Sequence, residues 1–206
     1  QLVLEQCVLV TPDWEAAAKP WESGRPFEAY FDASDLAWCV ALCQRVARKD
    51  ETGPRTPKII AFCCQSFEEA ATRWSAFDRE YYAFKEGYAK IAKWVQGFRL
   101  FCFFDHKNIE NATSVLASRR ASKKLVSWIA DTQELLGCCC RFWIDGKNNV
   151  IPDVGSRVDW DQKVITQLPV PDQPIRDTIR MFFTHPRELE EAVAKRWKDM
   201  TSVTGK

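Results

Sequence analysis

Four acidic residues stand where a carboxylate can do chemistry: Asp32, Glu80, Asp105 and Asp153. Asp32 closes the run Pro26-Phe27-Glu28-Ala29-Tyr30-Phe31, and Asp105 follows the apolar run Leu100–Phe104 abruptly. Glu80 and Asp153 fall in the first turns of predicted helices. Taken singly, each has an ordinary explanation: Asp32 suits a turn cap, and Glu80 gains from the positive end of its helix. If the elements pack so that these ends meet, four carboxylates converge with too little positive charge to balance them. Such a cluster is stable with hard cations that prefer oxygen ligands, typically Mg²⁺. Two such ions about 4 Å apart activate water and stabilise the leaving oxygen in phosphodiester cleavage.

The elements that must bring the acids together follow from hydrophobic period. Phe27, Ala29 and Phe31 face one way and Glu28, Tyr30 and Asp32 the other, which predicts a half-buried strand. A turn-forming Ala33-Ser34-Asp35 and a second apolar run from Leu36 extend it into a hairpin over about 27–31 and 36–44. Residues 46–57 are charged and carry Gly53, Pro54 and Pro57, a loop signature. Lys58–Cys64 reads as a third strand. Ser75 and Asp78 form a capping box for a helix over 76–97, with Phe77, Tyr81, Phe84, Tyr88, Ile91 and Val95 on one face. Leu100–Phe104 is a fully buried strand, and the charged triplet Asp105-His106-Lys107 sits where sheets place their sites, at the carboxyl edge.

Residues 108–136 read as two helices with a basic junction. Its Arg119, Arg120, Lys123 and Lys124 are either a solvated helix start or a phosphate-contacting patch. Cys138–Ile144 is a fifth strand, turned at Asp145-Gly146-Lys147. Pro152 suits the first turn of a short helix and sets Asp153 beside it. Beyond Asp159, Pro169, Pro171 and Pro174 mark a linker. A helix follows over Pro186–Met200, acidic early and basic late. Its stripe of Leu189, Val193 and Trp197 needs a partner surface, in cis or in trans.

Composition narrows the classes. The chain has 206 residues and is 46% apolar, enough for a packed core and unlike a disordered chain. A net charge of +1 argues against a global nucleic-acid footprint and leaves room only for a local patch. No apolar run is long enough for a membrane span. The nine cysteines include no Cys-x-x-Cys, and with two histidines the spacing of a zinc site is absent. They read as small buried apolar residues of a reducing, intracellular compartment, with nucleus, cytoplasm and an organelle such as the mitochondrion equally open. A redox or metal role for the clustered cysteines is the alternative. The chain begins with Gln1 rather than Met, which reads as processing or trimming.

In sequence order, Pro26-Phe27-Glu28-Ala29-Tyr30-Phe31-Asp32-Ala33-Ser34-Asp35, Ile60-Ala61-Phe62, Asp78-Arg79-Glu80, Asp105-His106-Lys107, Trp128 and Gly146-Lys147-Asn148-Asn149-Val150-Ile151-Pro152-Asp153-Val154-Gly155-Ser156-Arg157 resemble the ribonuclease H domain of reverse transcriptases from gypsy-type long-terminal-repeat retrotransposons. Thr11-Pro12-Asp13 is similar to the connector from the polymerase, and the match spans about residues 8–158. The resemblance implies an α/β, ribonuclease H-like fold: a five-stranded mixed sheet with helices on both faces, here with a C-terminal helical extension. It divides the chain into a connector arm (1–25), the domain (26–158), and a linker with an amphipathic helix (159–206). It implies an endonuclease that cuts the RNA strand of RNA–DNA hybrids, recognised through the minor groove and 2′-hydroxyls. Asp32, Glu80, Asp105 and Asp153 fall on the family's metal-binding acids, which take two Mg²⁺ ions, with Mn²⁺ as a substitute. His106 matches a family position without an assigned catalytic role.

Departures from the pattern are Phe31 and Phe104 in place of Thr, Cys39 in place of Gly, Pro152 in place of Ala and Asn108 in place of Pro. The polymerase that normally precedes the domain is absent from this sequence, as is the zinc motif of an integrase. These features, with the added helix over 186–200 and its need for a protein partner, support a second reading. In it the chain is a domesticated, non-catalytic structural or RNA-binding subunit of a large ribonucleoprotein such as an organellar ribosome.

Overall fold

The computed structural model describes residues 9–45, 57–110 and 122–157. The segment expected as a connector arm contains two short helices, α1 (Trp14–Ala18) and α2 (Pro20–Ser23). Asp13 caps the first by accepting from Ala16 N at 3.0 Å. Gln44 then stitches this segment to the sheet, donating from Nε2 to Asp13 O and Arg25 O and accepting from Asp13 N.

Period-two alternation gives β1 (Phe27–Ala33) and β2 (Ala37–Arg45), paired antiparallel. Ser34 closes their turn, its Oγ accepting from Leu36 N and Ala37 N. β1 runs beyond Phe31, so Asp32 lies inside the ladder, opposite Cys39, and not at a strand end as the alternation alone suggests. β3 (Pro57–Ser66) pairs antiparallel with β2. A single 3₁₀ turn, Glu69–Arg73, leads to the long helix α3 (Ala76–Val95), whose cap Ser75 Oγ accepts from Asp78 N at 3.1 Å. β4 (Leu100–Phe104) is buried at every position and pairs parallel with β1. After it come the one-turn helix α4 (Lys107–Glu110), then α5 (Lys123–Asp131) and α6 (Gln133–Cys138). β5 (Cys139–Trp143) adds parallel to β4, and α7 (Val150–Ser156) ends the described chain.

The sheet order is β3-β2-β1-β4-β5, with an antiparallel half and a parallel half. This is the five-stranded mixed sheet of a ribonuclease H-like fold. One face packs on α3, with Phe31, Val40, Leu42, Cys102 and Phe104 against Tyr81, Phe84 and Ile91. The other buries Tyr30, Ala41, Phe101, Phe103 and Phe142, and α7 contributes Ile151 to it. On that second face Glu28 accepts from Arg45 Nε at 2.6 Å and from Tyr30 OH at 2.7 Å, a buried ion pair that the alternation pattern does not announce. The helix expected over 186–200 lies outside the described residues. Among the described residues no helix is long and apolar enough to cross a membrane.

Close approach fixes both flanking helices at a glycine. A Cβ on Gly87 of α3 would stand 3.0 Å from the Phe31 ring. On Gly155 of α7 it would stand 2.6 Å from Cys39 Sγ, 2.7 Å from Cys64 Sγ and 2.8 Å from Phe62. Gly155→Ala therefore has to lift α7 off the sheet. A loss of about 1–3 kcal/mol is expected, measured as a lower denaturant midpoint at unchanged slope.

Candidate active site

Three acids from three elements meet at the carboxyl edge of the paired strands β1 and β4. β1 supplies Asp32, α3 supplies Glu80 in its second turn, and Asp105 follows the last residue of β4. One carboxylate oxygen from each lies within 4.8 Å of the others. The parallel β1–β4 register carries Asp32 and Asp105 out of the sheet side by side. Helix α3 brings Glu80 over them because its apolar face is seated on Phe31 and Phe104.

The cluster is buried, with Asp32 4% and Glu80 6% exposed, and Asp105 is half-buried. Burial pushes the Asp32 carboxyl up to about 7, with the Ser156 hydroxyl pulling it back and the charges of Asp105 and Asp153 adding to the rise. Glu80 is pushed well above the usual carboxylate range by burial first and then by Asp32 and Asp105, opposed by the Ala33 N–H. Asp105 is raised chiefly by burial. Glu80 Oε2 is buried without a hydrogen-bond partner. An orphaned carboxylate oxygen on a residue clustered with two more carboxylates, with no thiol or imidazole among the three donors, fits a hard divalent cation such as Mg²⁺.

The fourth expected acid is placed differently. Asp153 lies close enough to raise Asp32 and Asp105, but it is not one of the three converging groups. Its Oδ1 accepts from Arg157 Nε at 2.8 Å and from Nη2 at 2.5 Å, one helical turn on. His106 packs on Phe77 with ring centroids 5.3 Å apart, and burial lowers its pKa.

Of the basic cluster, Arg119 and Arg120 lie outside the described residues. Lys123 is exposed at the start of α5. Lys124 instead lies over the Trp74 ring at 3.8 Å and the Trp128 ring at 4.9 Å, with Asp78 Oδ2 at 3.8 Å. It caps an aromatic group of Trp74, Tyr82 and Trp128.

Residues not singled out as site residues hold the acids in place. Ser156 Oγ donates a short hydrogen bond to Asp32 Oδ2, and Ser156 O accepts from Ser34 Oγ. Asn149, wholly buried, donates from Nδ2 to Phe31 O at 2.7 Å. Trp143 Nε1 donates to Asp105 O at 2.8 Å. All but Ser34 and Trp143 lie in the segment 146–157, yet no local pattern marks a serine that bonds 124 residues back.

Residues 22–135 match the family model described as the RNase H-like domain found in reverse transcriptase. Among solved structures, the foamy viral protease–reverse transcriptase in complex with RNA/DNA hybrid is 11% identical over 58% of this chain, with a TM-score of 0.44. RNase H1 from the halophilic archaeon Halobacterium salinarum NRC-1 is 19% identical over 63% of this chain and 92% of its own, with a TM-score of 0.46. LC11-RNase H1 in complex with RNA/DNA hybrid is 12% identical over 63% of this chain and 91% of its own, with a TM-score of 0.44. The chain spans 15–24% of the length of the foamy viral chains it matches. No curated protein sequence matches it significantly.

The raised Asp32 carboxyl has a consequence for stability. The folded state holds this proton more tightly than the unfolded state. The stabilisation is therefore complete below the ordinary carboxylate pKa of about 4 and is lost as pH rises to about 7. In chelator-treated protein the unfolding midpoint is expected to fall between pH 4 and 7. Asp32→Asn should flatten that slope and raise the midpoint at pH 8. Thermal melts across this range check both.

Proposed function

The chain belongs to the family of RNase H-like domains found in reverse transcriptase, and from that premise we propose a metal-dependent endonuclease that cuts the RNA strand of RNA–DNA hybrids. The observation that carries this reading is the meeting of Asp32, Glu80 and Asp105 within 4.8 Å, with a buried carboxylate oxygen left unpartnered. A fold in need only of stability does not gather three carboxylates, because each neighbour makes the next harder to ionise. The motifs quoted above refine the reading to a gypsy-type retrotransposon origin.

Asp32, Glu80 and Asp105 would hold Mg²⁺, or Mn²⁺ in its place, and Asp153 stands at the rim. Once bound, such ions supply an activated water and charge stabilisation at the leaving oxygen. The remaining roles belong to the chain. Ser156 orients the Asp32 carboxylate, as partners of metal ligands do. Arg157 steers Asp153 and brings a positive charge to a strongly acidic edge where a phosphate backbone would lie. Exposed Lys123, with Arg119 and Arg120 preceding it in sequence, offers contacts to that backbone.

A second reading, the non-catalytic subunit of a ribonucleoprotein, draws on a separate observation. Trp14 and Trp21 are 43% and 48% exposed. They lie against Phe27 and Phe101, at the opposite end of β1 and β4 from the acids. That surface suits a protein partner.

Cleavage of a labelled RNA–DNA hybrid in Mg²⁺ and in Mn²⁺ tests the first reading. The expected result is cleavage that Asp105→Asn abolishes and that Ser156→Ala lowers by about 10–100-fold. No cleavage in either metal by a cooperatively folded chain would overturn it in favour of the subunit.

A further inference from the structure

None of the eight described cysteines is in a disulfide, and five of them are buried, as the composition suggests. One pair is different. The β2–β3 register sets Cys39 directly opposite Cys64, and their Sγ atoms are 2.7 Å apart. Directly opposed residues of antiparallel strands have Cα atoms about 4.5–5.5 Å apart, within the span a disulfide bridges. Cys39 is wholly buried, whereas Cys64 is only half-buried and is the member of the pair nearer solvent. Gly155 of α7 rests on both sulfurs and carries no side chain to hold them apart. Cys102 and Cys139 also interact, but they sit on parallel strands two register positions apart, and Cys102 is fully buried.

We propose that Cys39 and Cys64 form a thiol–disulfide exchange site for low-molecular-weight disulfides, whose product is a cross-strand bond beneath the helix that carries Asp153 and Ser156. Cys64 attacks one sulfur of the small disulfide, giving a mixed disulfide and releasing one small thiol. Cys39 then attacks the Cys64 sulfur and displaces the second small thiol. Two protein S–H bonds and one small S–S bond are exchanged for one protein S–S bond and two small thiols, so the protein loses two electrons and the small disulfide gains them. An excess of the small thiol runs the exchange backwards. The bond joins the edge strand to β2 next to Asp32, whose cross-strand partner is Cys39. It therefore stiffens the platform on which α7 rests.

The probe is oxidised glutathione applied to the native chain, followed by alkylation and peptide mass mapping. The expected product is lighter by two hydrogen atoms, carries a Cys39–Cys64 cross-linked peptide, and reverts with reduced glutathione. Its unfolding midpoint should rise by about 5–10 °C. Cys64→Ala and Cys39→Ala should each lose the cross-link and the rise. A glutathione adduct on Cys64 that Cys39 never resolves, no reaction at either residue, or a Cys102–Cys139 link in their place would overturn the proposal. None of these readouts depends on cleavage, so the result stands whatever the hybrid assay gives.

Discussion

Three carboxylates held within 4.8 Å in a buried site set the terms for the rest of the structure. At an effective dielectric of about 20, each ionised pair at that distance repels by roughly 3–4 kcal/mol, before any cost of removing the charges from water. A soft scaffold would relax by letting them part. Here two come from adjacent parallel strands and the third from a twenty-residue helix, so separation would mean breaking the sheet or unseating α3. Compensation inside the chain is partial: the Ser156 hydroxyl on Asp32 and the Ala33 N–H on Glu80.

What keeps α3 seated is aromatic packing. Phe31 and Phe104 stack with centroids 5.3 Å apart at 13°, and both meet the Phe84 ring edge-on. These are the two bulky residues that immediately precede Asp32 and Asp105, two of the five positions at which the sequence departs from the pattern it resembles. Strand alternation sends their rings to the α3 face and leaves the carboxylates beside them unobstructed. Gly87 supplies the clearance on the helix side. The departures therefore build the clamp that holds Glu80 over its partners.

Period and capping made most of the architecture legible from the sequence. The two-residue period of 27–32, the apolar stripe of 76–97 and the unbroken run of 100–104 each translate directly into an element, and the acids at their ends could be read with them. Ladder length is less visible: nothing in Ala33 says that β1 continues past Asp32. The supports of the site were hidden for a different reason. Ser156 to Asp32, Asn149 to Phe31 O and Trp143 to Asp105 O span from 38 to 124 residues, and local pattern carries no trace of such bonds. Lys124 had the spacing of a solvated or phosphate-binding lysine, yet rings fifty residues upstream and four downstream give it an aromatic seat. The reverse holds for Asp153, whose partner Arg157 was in plain view at one helical turn and only needed weighing against the pull of the other acids. Arg119, Arg120 and the 186–200 helix lie outside the described residues.

The parallel pairing of β1 with β4 also fixes an order of assembly. The β1–β2–β3 meander joins strands that are neighbours in sequence. The β1–β4 ladder, by contrast, joins residue 27 to residue 100 and must first gather the intervening chain. Non-local pairing of this kind meets its loop-closure entropy before any contact rewards it, so it forms late and slowly. Asp32 and Asp105 belong to opposite sides of that late step. During most of folding the acids are far apart and hydrated, and their mutual repulsion is felt only when the apolar strands have already committed to each other.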